Sequence, residues 1–410
     1  MPAVKPPMIP VFPKSFLWGA AASSHQVEGG NVHNDWWQWE EARRLPERSG
    51  EAIRHYELFD QDFSFAQKLS HNAHRFSIEW SRIEPREGAF DENAIRHYHQ
   101  VIDSLISKNI TPIVTLHHFT NPLWFAQKGG WLDPEATGSF ARYTRKVVDA
   151  YKNKVRYWIT INEPTVLAYY GYMLGKWPPG KRSLVLAMGA LRNCLAAHRR
   201  AYQVIHARQE DAAVGIAHHL RPFKVCPRTP NVFCALNVWA RHYLFNRYFL
   251  ERVKKESDFI GVNYYEQEFV SNDRACGLGF WGNNCNLSHH HSERVNQMGW
   301  GFYPGGLLEV LRWVKKYNKP VIITENGTAE TDDRARARFI VEHLKSVARA
   351  IAEGIPVAGY LYWSLLDNFE WDRGFAPRFG LVEVDGKTLE RRIRPSAYVF
   401  QEIIETGRIK

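Results

Sequence analysis

Eight short runs of β-branched and apolar residues recur along this chain, each separated from the next by a longer segment that is amphipathic or rich in loop residues. Strands that alternate with helices pair in parallel, because each connection must carry the chain back across the sheet. The predicted strands are Phe16–Ala21, Ala73–Ile78, Thr111–Leu116, Val155–Ile161, Val214–Ala217, Phe259–Asn263, Val321–Thr324 and Val357–Trp363. Eight such units in 410 residues predict an α/β fold, a closed (β/α)8 barrel, with a doubly wound open sheet as the alternative.

The segments between these strands have the period of amphipathic helices. In Asp91–Lys108 an aspartate N-cap precedes apolar residues that fall on one face, namely Ile95, Tyr98, Ile102, Leu105 and Ile106. The other predicted helices are Pro134–Tyr151, Ser183–Gln209, Pro304–Tyr317 and Asp332–Glu353. No glycine-rich phosphate-binding motif follows any strand, which disfavours the open nucleotide-binding sheet. No linker or repeat divides the chain, so we expect a single domain over residues 1–410.

The formal net charge of +10 raises the question of nucleic-acid binding. The basic residues form scattered clusters without a helix-turn-helix, zinc-finger or aromatic–basic RNA pattern. Most clusters lie in predicted helices, where we interpret them as solvated faces. The full set of clusters is Arg142/Arg145/Lys146, Arg199/Arg200, Arg252/Lys254/Lys255, Arg334/Arg336/Arg338 and Arg391/Arg392/Arg394. We therefore expect no nucleic-acid partner.

The remaining composition predicts a cytoplasmic protein without a membrane segment. No run approaches the roughly 20 apolar residues that cross a bilayer, and the N-terminus has no apolar signal core. The cysteines Cys194, Cys226, Cys234, Cys276 and Cys285 form no CxxC pair and no metal-binding spacing, which suits a reducing compartment. His289, His290 and His291 lie in a Gly/Asn-rich stretch that we interpret as a solvated loop. We expect no metal and no organic cofactor.

Polar residues follow the predicted strands at the end where parallel barrels place their chemistry. Glu163 follows the fourth strand and Glu325 the seventh, so the barrel mouth should carry two carboxylates on nearly opposite strands. Such a pair suits cleavage of a glycosidic bond: one group protonates the leaving oxygen, and the other attacks the anomeric carbon or activates water.

The neighbours of the two glutamates fit these different roles. Arg75 and Tyr265 can hold Glu325 ionised, whereas Glu163, beside the amide Asn162, can stay protonated. Hydroxyl-binding donors and acceptors are Gln26, His118, Asn162 and Glu370, and Trp363 and Trp371 offer flat faces to a sugar ring. Taken singly, each glutamate could pair with a barrel arginine, His118 could be a core histidine, and the tryptophans could pack the core.

The two glutamate motifs together resemble the signatures of the family 1 glycoside hydrolases, the β-glucosidase-type retaining enzymes. They read Thr-Ile-Asn162-Glu163-Pro164 and Ile-Thr-Glu325-Asn-Gly327. Supporting matches run along the whole chain: Phe16-Leu-Trp-Gly-Ala, Ser23-Ser-His-Gln26-Val-Glu28-Gly29, Arg75-Phe-Ser-Ile, Gly261-Val-Asn263-Tyr-Tyr265, Met298-Gly-Trp300, Trp363-Ser-Leu-Leu-Asp-Asn-Phe-Glu370-Trp371 and Arg378-Phe379-Gly380-Leu.

The resemblance implies a role for each matching residue. Glu325 is the expected nucleophile and Glu163 the expected acid and base; the other residues expected in the catalytic set are Arg75, Tyr265 and Asn162. The resemblance places in the substrate-binding set Gln26, His118, Asn263, Trp300, Trp363, Glu370, Trp371 and Phe379. Within this set, Trp363 is the expected platform for the sugar and Trp300 that for the leaving group.

The same resemblance narrows the activity. A carboxylate at Glu370 disfavours a 6-phosphate sugar, and an acid at Glu163 disfavours the thioglucosidase branch. We expect a retaining exo-β-glycosidase acting on small β-glucosides or short oligosaccharides, with β-fucosides and β-galactosides as further candidates. The alternative is a weak or inactive sugar-binding relative. Departures from the family pattern are Phe119, where Trp is usual, Thr165, and short loops near strands five and six, which suggest a more open leaving-group side.

Overall fold

A computed structural model describes residues 12–43, 45, 47–271, 283–285, 291, 292 and 294–409. Its β-strands, β1 to β13 in chain order, are Leu17–Ala21, Ala73–Ser77, Thr111–His117, Tyr157–Asn162, Ala213–His219, Phe223–Val225, Phe259–Asn263, Glu268–Ser271, Asn283–Asn284, Val321–Asn326, Val357–Trp363, Val382–Val384 and Arg391–Ile393. The α-helices, α1 to α14, are Ser24–Val27, Asp35–Arg43, His55–Lys68, Trp80–Ile83, Glu92–Ser107, Leu123–Gln127, Ala136–Tyr151, Pro164–Leu167, Leu184–His206, Val232–Arg241, Tyr248–Val253, Pro304–Val314, Asp333–Ala352 and Pro395–Thr406. Single turns of 3-10 or π-helix are Gly130–Leu132, Ala168–Met173, His242–Arg247, Lys315–Tyr317 and Trp371–Arg373.

Eight of the strands form a closed barrel in the order β1-β11-β10-β7-β5-β4-β3-β2. Every neighbouring pair is parallel, and β1 closes the ring by pairing with both β2 and β11. The predicted (β/α)8 barrel is confirmed, and the open sheet is excluded by this closure. Each predicted strand corresponds to one barrel strand. The fifth was predicted two residues short, since β5 continues to His219.

In helix α5 the predicted N-cap and most of the predicted apolar face are confirmed. Asp91 caps it as expected, because its carboxylate accepts hydrogen bonds from the backbone N–H of Asn93 at 2.7 Å and Ala94 at 3.2 Å. The predicted apolar face is buried at Ile95, Tyr98, Ile102 and Leu105. The prediction was wrong for Ile106, which is 42% exposed. It lies at the edge of the buried stripe, where one further residue turns the side chain towards solvent.

The basic clusters are only partly solvated faces. Arg391 is buried, and its Nε donates to Asp62 Oδ1 at 2.9 Å. Arg394 donates to both oxygens of Asp367, at 3.1 and 2.7 Å, and Arg336 is fully buried. For these three arginines the interpretation as solvent-facing charge was wrong. A one-dimensional charge run does not reveal a buried acid that lies elsewhere in the chain.

Two small sheets lie outside the barrel. In one, β8 lies between β6 and β9, and in the other β12 pairs with β13. No helix among the described residues is long and apolar enough to cross a bilayer. Cys276, His289 and His290, which the sequence analysis considered, lie outside the described residues.

Candidate active site

The mouth of the barrel holds a cavity of about 160 Å³ between the ends of β4 and β10. Glu163 follows β4 directly and has a left-handed backbone conformation, with φ at 45°. A non-glycine residue in this conformation is strained, and such strain is concentrated at functional sites. Glu325 is the second-to-last residue of β10. Gly327 follows it, where a Cβ would lie 1.8 Å from the carbonyl oxygen of Trp363, so only glycine lets the two strands approach this closely.

Glu325 is held by a cation and a phenol. Arg75 Nη1 lies 2.5 Å from its Oε1, and the hydroxyl of Tyr265 donates to Oε2 at 2.6 Å. Arg75 is itself fully buried and is fixed by three further contacts, donating to Thr115 Oγ1 at 2.9 Å, to Asn162 Oδ1 at 2.7 Å and to the carbonyl of Thr324 at 3.4 Å. Each oxygen of Glu325 therefore has a donor that favours its ionised form.

Glu163 has a different environment. Its Oε1 accepts a hydrogen bond from Asn263 Nδ2 at 2.7 Å, and His219 Nδ1 lies 3.5 Å away. Asn263 is oriented in turn by the hydroxyl of Thr324, which donates to its Oδ1 at 2.6 Å. Burial lowers the pKa of His219 well below its usual value, so the ring beside Glu163 is neutral at neutral pH.

Burial raises the pKa of both glutamates above that of a free carboxyl. Arg75 opposes this for both groups, whereas the hydrogen bonds from Arg75 and Tyr265 act on Glu325 alone. Two interacting carboxyls lose their protons in steps that belong to the pair. Since Glu325 has the charged donor in direct contact, the first proton leaves Glu325, and the remaining proton stays on Glu163.

A polar wall faces the two glutamates. Gln26 Nε2 donates to Glu370 Oε2 at 3.1 Å and to the carbonyl of Phe369 at 2.8 Å, and Ser23 Oγ donates to Gln26 Oε1 at 2.7 Å. Burial and the charge of Glu325 raise the pKa of Glu370 to about 8. At neutral pH Glu370 can therefore donate as well as accept a hydrogen bond, which suits a wall lined with sugar hydroxyls.

His118 completes this wall. Its Nε2 accepts from Asn162 Nδ2 at 3.2 Å, which leaves the ring proton on Nδ1. Within the described part of the chain, Nδ1 is buried without a hydrogen-bond partner. Buried polar atoms normally have a partner, so a donor here is available to a ligand hydroxyl. The ring lies near both Trp363 and Trp371, with centroids 5.9 and 6.1 Å apart and ring planes within 24° and 19°.

Aromatic rings form the rest of the lining. The centroid of Trp300 lies 5.0 Å from that of Tyr265 and 6.0 Å from that of Phe379. The side chain at Phe119, a departure from the family pattern, also lines the cavity and lies 5.1 Å from Trp177. Phe119 has a positive φ of 71°, and its carbonyl accepts a hydrogen bond from Asn121 Nδ2 at 3.3 Å.

The structure brings almost all of the predicted site residues to this cavity. Those that line it are Gln26, His118, Asn162, Glu163, Tyr265, Trp300, Glu325, Trp363, Glu370, Trp371 and Phe379. Arg75 and Asn263 do not line it. Asn263, expected to bind substrate, donates to Glu163 and to Asn162 Oδ1, the latter at 3.1 Å.

Several lining residues escaped the sequence analysis, among them His219, Arg221 and Trp177. His219 ends β5, so the rule that polar residues at strand ends carry chemistry would have found it if the strand had been extended. Arg221 lies 3.3 Å from Glu266 and 3.1 Å from Glu268. Trp177 lies in the loop between Ala168–Met173 and α9, where no predicted strand end pointed to it.

Known proteins that are similar to this chain over almost its whole length are glycosidases. A family model described as Glycosyl hydrolase family 1 matches residues 8–253 and 234–409. A 1,4-β-D-glucan glucohydrolase of Thermotoga neapolitana is 32% identical over 445 aligned positions, covering 97% of this chain and 98% of the relative. The solved structure of a β-glycosidase from Pyrococcus horikoshii superposes with a TM-score of 0.88 at 41% identity, covering 98% of this chain and 96% of that one. A β-glucosidase from Thermotoga maritima in complex with glucoimidazole also has a TM-score of 0.88, at 30% identity, with 97% and 99% covered.

Proposed function

Because this chain belongs to glycosyl hydrolase family 1 and is therefore a hydrolase of glycosidic bonds, we propose that it is a retaining exo-β-glycosidase that cleaves small β-glucosides. The observation that carries the proposal is the unequal environment of the two glutamates. Arg75 and Tyr265 contact Glu325, whereas a neutral amide contacts Glu163. Separate roles as nucleophile and acid follow from this difference.

In the first step, Glu325 attacks the anomeric carbon of the bound sugar. The bond from that carbon to the leaving oxygen breaks, and Glu163 gives its proton to this oxygen so that a neutral alcohol departs. The product is a sugar ester of Glu325. Asn162, fixed by Arg75 at 2.7 Å, is placed to donate to the sugar's 2-hydroxyl, a contact that strengthens as positive charge develops on the ring.

In the second step, water attacks the same carbon from the side that the alcohol has left. The ester has removed the negative charge of Glu325, which had raised the pKa of its neighbour, so Glu163 is now a carboxylate that can take a proton from this water. The bond to Glu325 breaks and the sugar leaves with its original anomeric configuration. Two inversions at one carbon give net retention.

The polar wall favours a neutral sugar. Gln26, His118 and Glu370 present hydrogen-bonding atoms that suit the uncharged hydroxyls of a sugar. The glucan glucohydrolase and the β-glucosidase named above act on, or take their names from, glucosides, which supports a glucoside as the first substrate to test. Because epimers share most of these contacts, β-fucosides and β-galactosides are the next candidates.

The experiment is trapping of the intermediate with a 2-fluoro glucoside that carries an activated leaving group. The label is expected on the peptide that contains Glu325. A label on another residue would overturn the assignment. Glu325→Gln should abolish labelling, and Glu163→Gln should still be labelled by the activated reagent, because a good leaving group needs no acid.

The sugar-binding alternative is tested on the same protein. A panel of nitrophenyl β-glucosides, β-fucosides and β-galactosides is expected to show turnover that is lost in Glu325→Gln. Binding of glucose-like inhibitors without turnover of any of these substrates would favour a binding protein.

We also propose that the whole chain acts as one catalytic domain in the cytoplasm, on free glycosides and without a cofactor.

A further inference from the structure

The small sheet of β6, β8 and β9 lies outside the barrel but continues directly from its mouth. Strand β8 begins three residues after Tyr265, which contacts Glu325. Cys226 follows β6 on one side of β8, and its backbone N–H donates to Val270 at 3.0 Å. Cys285 follows β9 on the other side, and its N–H donates to Phe269 at 3.1 Å. Two thiols from distant parts of the chain are thus brought to the two edges of one short strand.

A histidine joins the two cysteines. The ring of His291 stacks on Phe269 with centroids 4.2 Å apart. Its Nε2 lies 3.3 Å from Cys226 Sγ and 3.1 Å from Cys285 Sγ. The three ligand atoms all lie within 4.8 Å of one another, and both cysteines are buried.

This arrangement matches the ligand spacing of a tetrahedral metal site. Zinc binds sulfur at about 2.3 Å and imidazole nitrogen at about 2.0 Å, so a tetrahedral angle at the ion places a ligand sulfur and a ligand nitrogen about 3.5 Å apart. The observed separations are a few tenths of an ångström shorter, and a small spreading of the side chains would admit the ion. A disulfide would need only the two sulfurs, and it would not explain a ring nitrogen facing both.

We propose that Cys226, Cys285 and His291 bind a structural zinc ion. Thiolate and imidazole ligands select zinc over the hard cations calcium and magnesium. Two thiolates and one neutral imidazole balance the charge of the ion, which suits a site whose cysteines are buried. Binding releases the two thiol protons, and the remaining tetrahedral position takes a further ligand.

The ion would fix the position of the segment that carries His291 and Trp300, which lies on the leaving-group side of the active site. His291 lines a second cavity together with Tyr265 and Trp300. Trp300 lies on the same segment as His291, and its ring lies 5.0 Å from that of Tyr265. A sheet with strands of four residues or fewer has little core of its own, so a metal cross-link is an effective way to hold it.

The test is metal analysis of the full chain, produced with added zinc and kept reduced. We expect about one equivalent of zinc per chain in the wild type and its loss in Cys285→Ser and in His291→Gln. The matched control is Cys194→Ser, which removes a buried cysteine of α9 outside the cluster and should retain the metal. Cobalt added to wild-type protein stripped by a chelator should give the charge-transfer and visible bands of tetrahedral thiolate ligation.

A second measurement separates the metal site from general damage to the fold. Stripping the wild type with a chelator should lower Tm by several degrees, and zinc should restore it, without any substitution that could prevent folding. In the stripped protein, the KM for aryl glucosides is expected to rise by a larger factor than the factor by which the rate of trapping with the 2-fluoro sugar falls. Wild-type protein that neither contains nor takes up zinc or cobalt would overturn the proposal, as would a mass two hydrogens lower from a Cys226–Cys285 disulfide. The metal analysis, the cobalt spectrum and the Tm do not depend on turnover, so they test the metal site apart from the proposed activity.

Discussion

The hydroxyl of Tyr265 is the feature whose removal tests the electrostatics of the site most directly. It donates to Glu325 Oε2 at 2.6 Å in a position where the carboxyl is nearly inaccessible to water. A hydrogen bond to a charged group contributes about 1.5–3 kcal/mol. In Tyr265→Phe, Arg75 remains on the other oxygen, so we take the lower end of this range.

The sign follows from which form the bond stabilises. The hydroxyl favours the carboxylate, so its loss raises the pKa of Glu325. Glu325 must be ionised to attack the sugar, and activity therefore fails at a higher pH as the solution is acidified. About 1.4 kcal/mol corresponds to about one pH unit. The acid limb of kcat/KM should move upward by about that amount, and the alkaline limb should move less.

The assay is kcat/KM for a nitrophenyl β-glucoside across the pH range in which the enzyme stays folded, because this parameter reports groups of the free enzyme. The matched control is Tyr264→Phe, the same substitution one residue earlier. Its hydroxyl donates to the carbonyl of Tyr303 at 2.6 Å and not to Glu325. We expect the control to lose about 1 kcal/mol of stability with an unchanged acid limb. An acid limb that stays in place in Tyr265→Phe, or moves downward, would refute the reasoning.

Three further substitutions test the site and its support. Glu163→Gln should slow glucosides of poorly acidic alcohols by about 10²- to 10⁴-fold and affect activated aryl glucosides less; an equal loss across a series of leaving groups would contradict the role as acid. Glu370→Ala should raise the KM of glucosides by about tenfold, since a sugar hydroxyl left without its buried partner costs about 1–3 kcal/mol, and an unchanged KM would remove this residue from the sugar pocket. Arg394→Gln removes the cation that donates to both oxygens of buried Asp367, which keeps the Gly380 N–H at 2.9 Å and Arg378 at 3.6 Å, and should lower the free energy of unfolding by about 2 kcal/mol in denaturant titrations. The exposed control Arg349→Gln should cost less than about 1 kcal/mol, and equal effects would show that burial does not matter here.

The barrel was predictable because its strands are short, apolar and regularly spaced. All eight were located from the sequence to within about two residues at most ends, and each carries one of the barrel's parallel pairings. A strand buried on both faces must be apolar throughout, and this leaves a signal in the sequence. The same rule failed at β5, where two histidines at the end of the strand resemble the start of a loop.

The contacts within the site were less predictable. The hydrogen bond from Asn263 to Glu163 was not predicted, and the role of Asn263 in substrate binding stays a prediction. His219 was not considered, and Arg391 was interpreted as surface charge although it pairs with buried Asp62. In each case the deciding partner lies far away in the chain, so no local pattern reports it.

The sequence by itself determined the barrel, because burial of each strand and the period of each helix are local properties. It also identified the two glutamates, since residues at the ends of parallel strands must meet at one mouth. Only the tertiary structure decided that Asn263 and His219 lie beside Glu163, and that Cys226, Cys285 and His291 converge beside β8. Those are distances through space between residues far apart in the chain, and they are set by how the strands and loops pack.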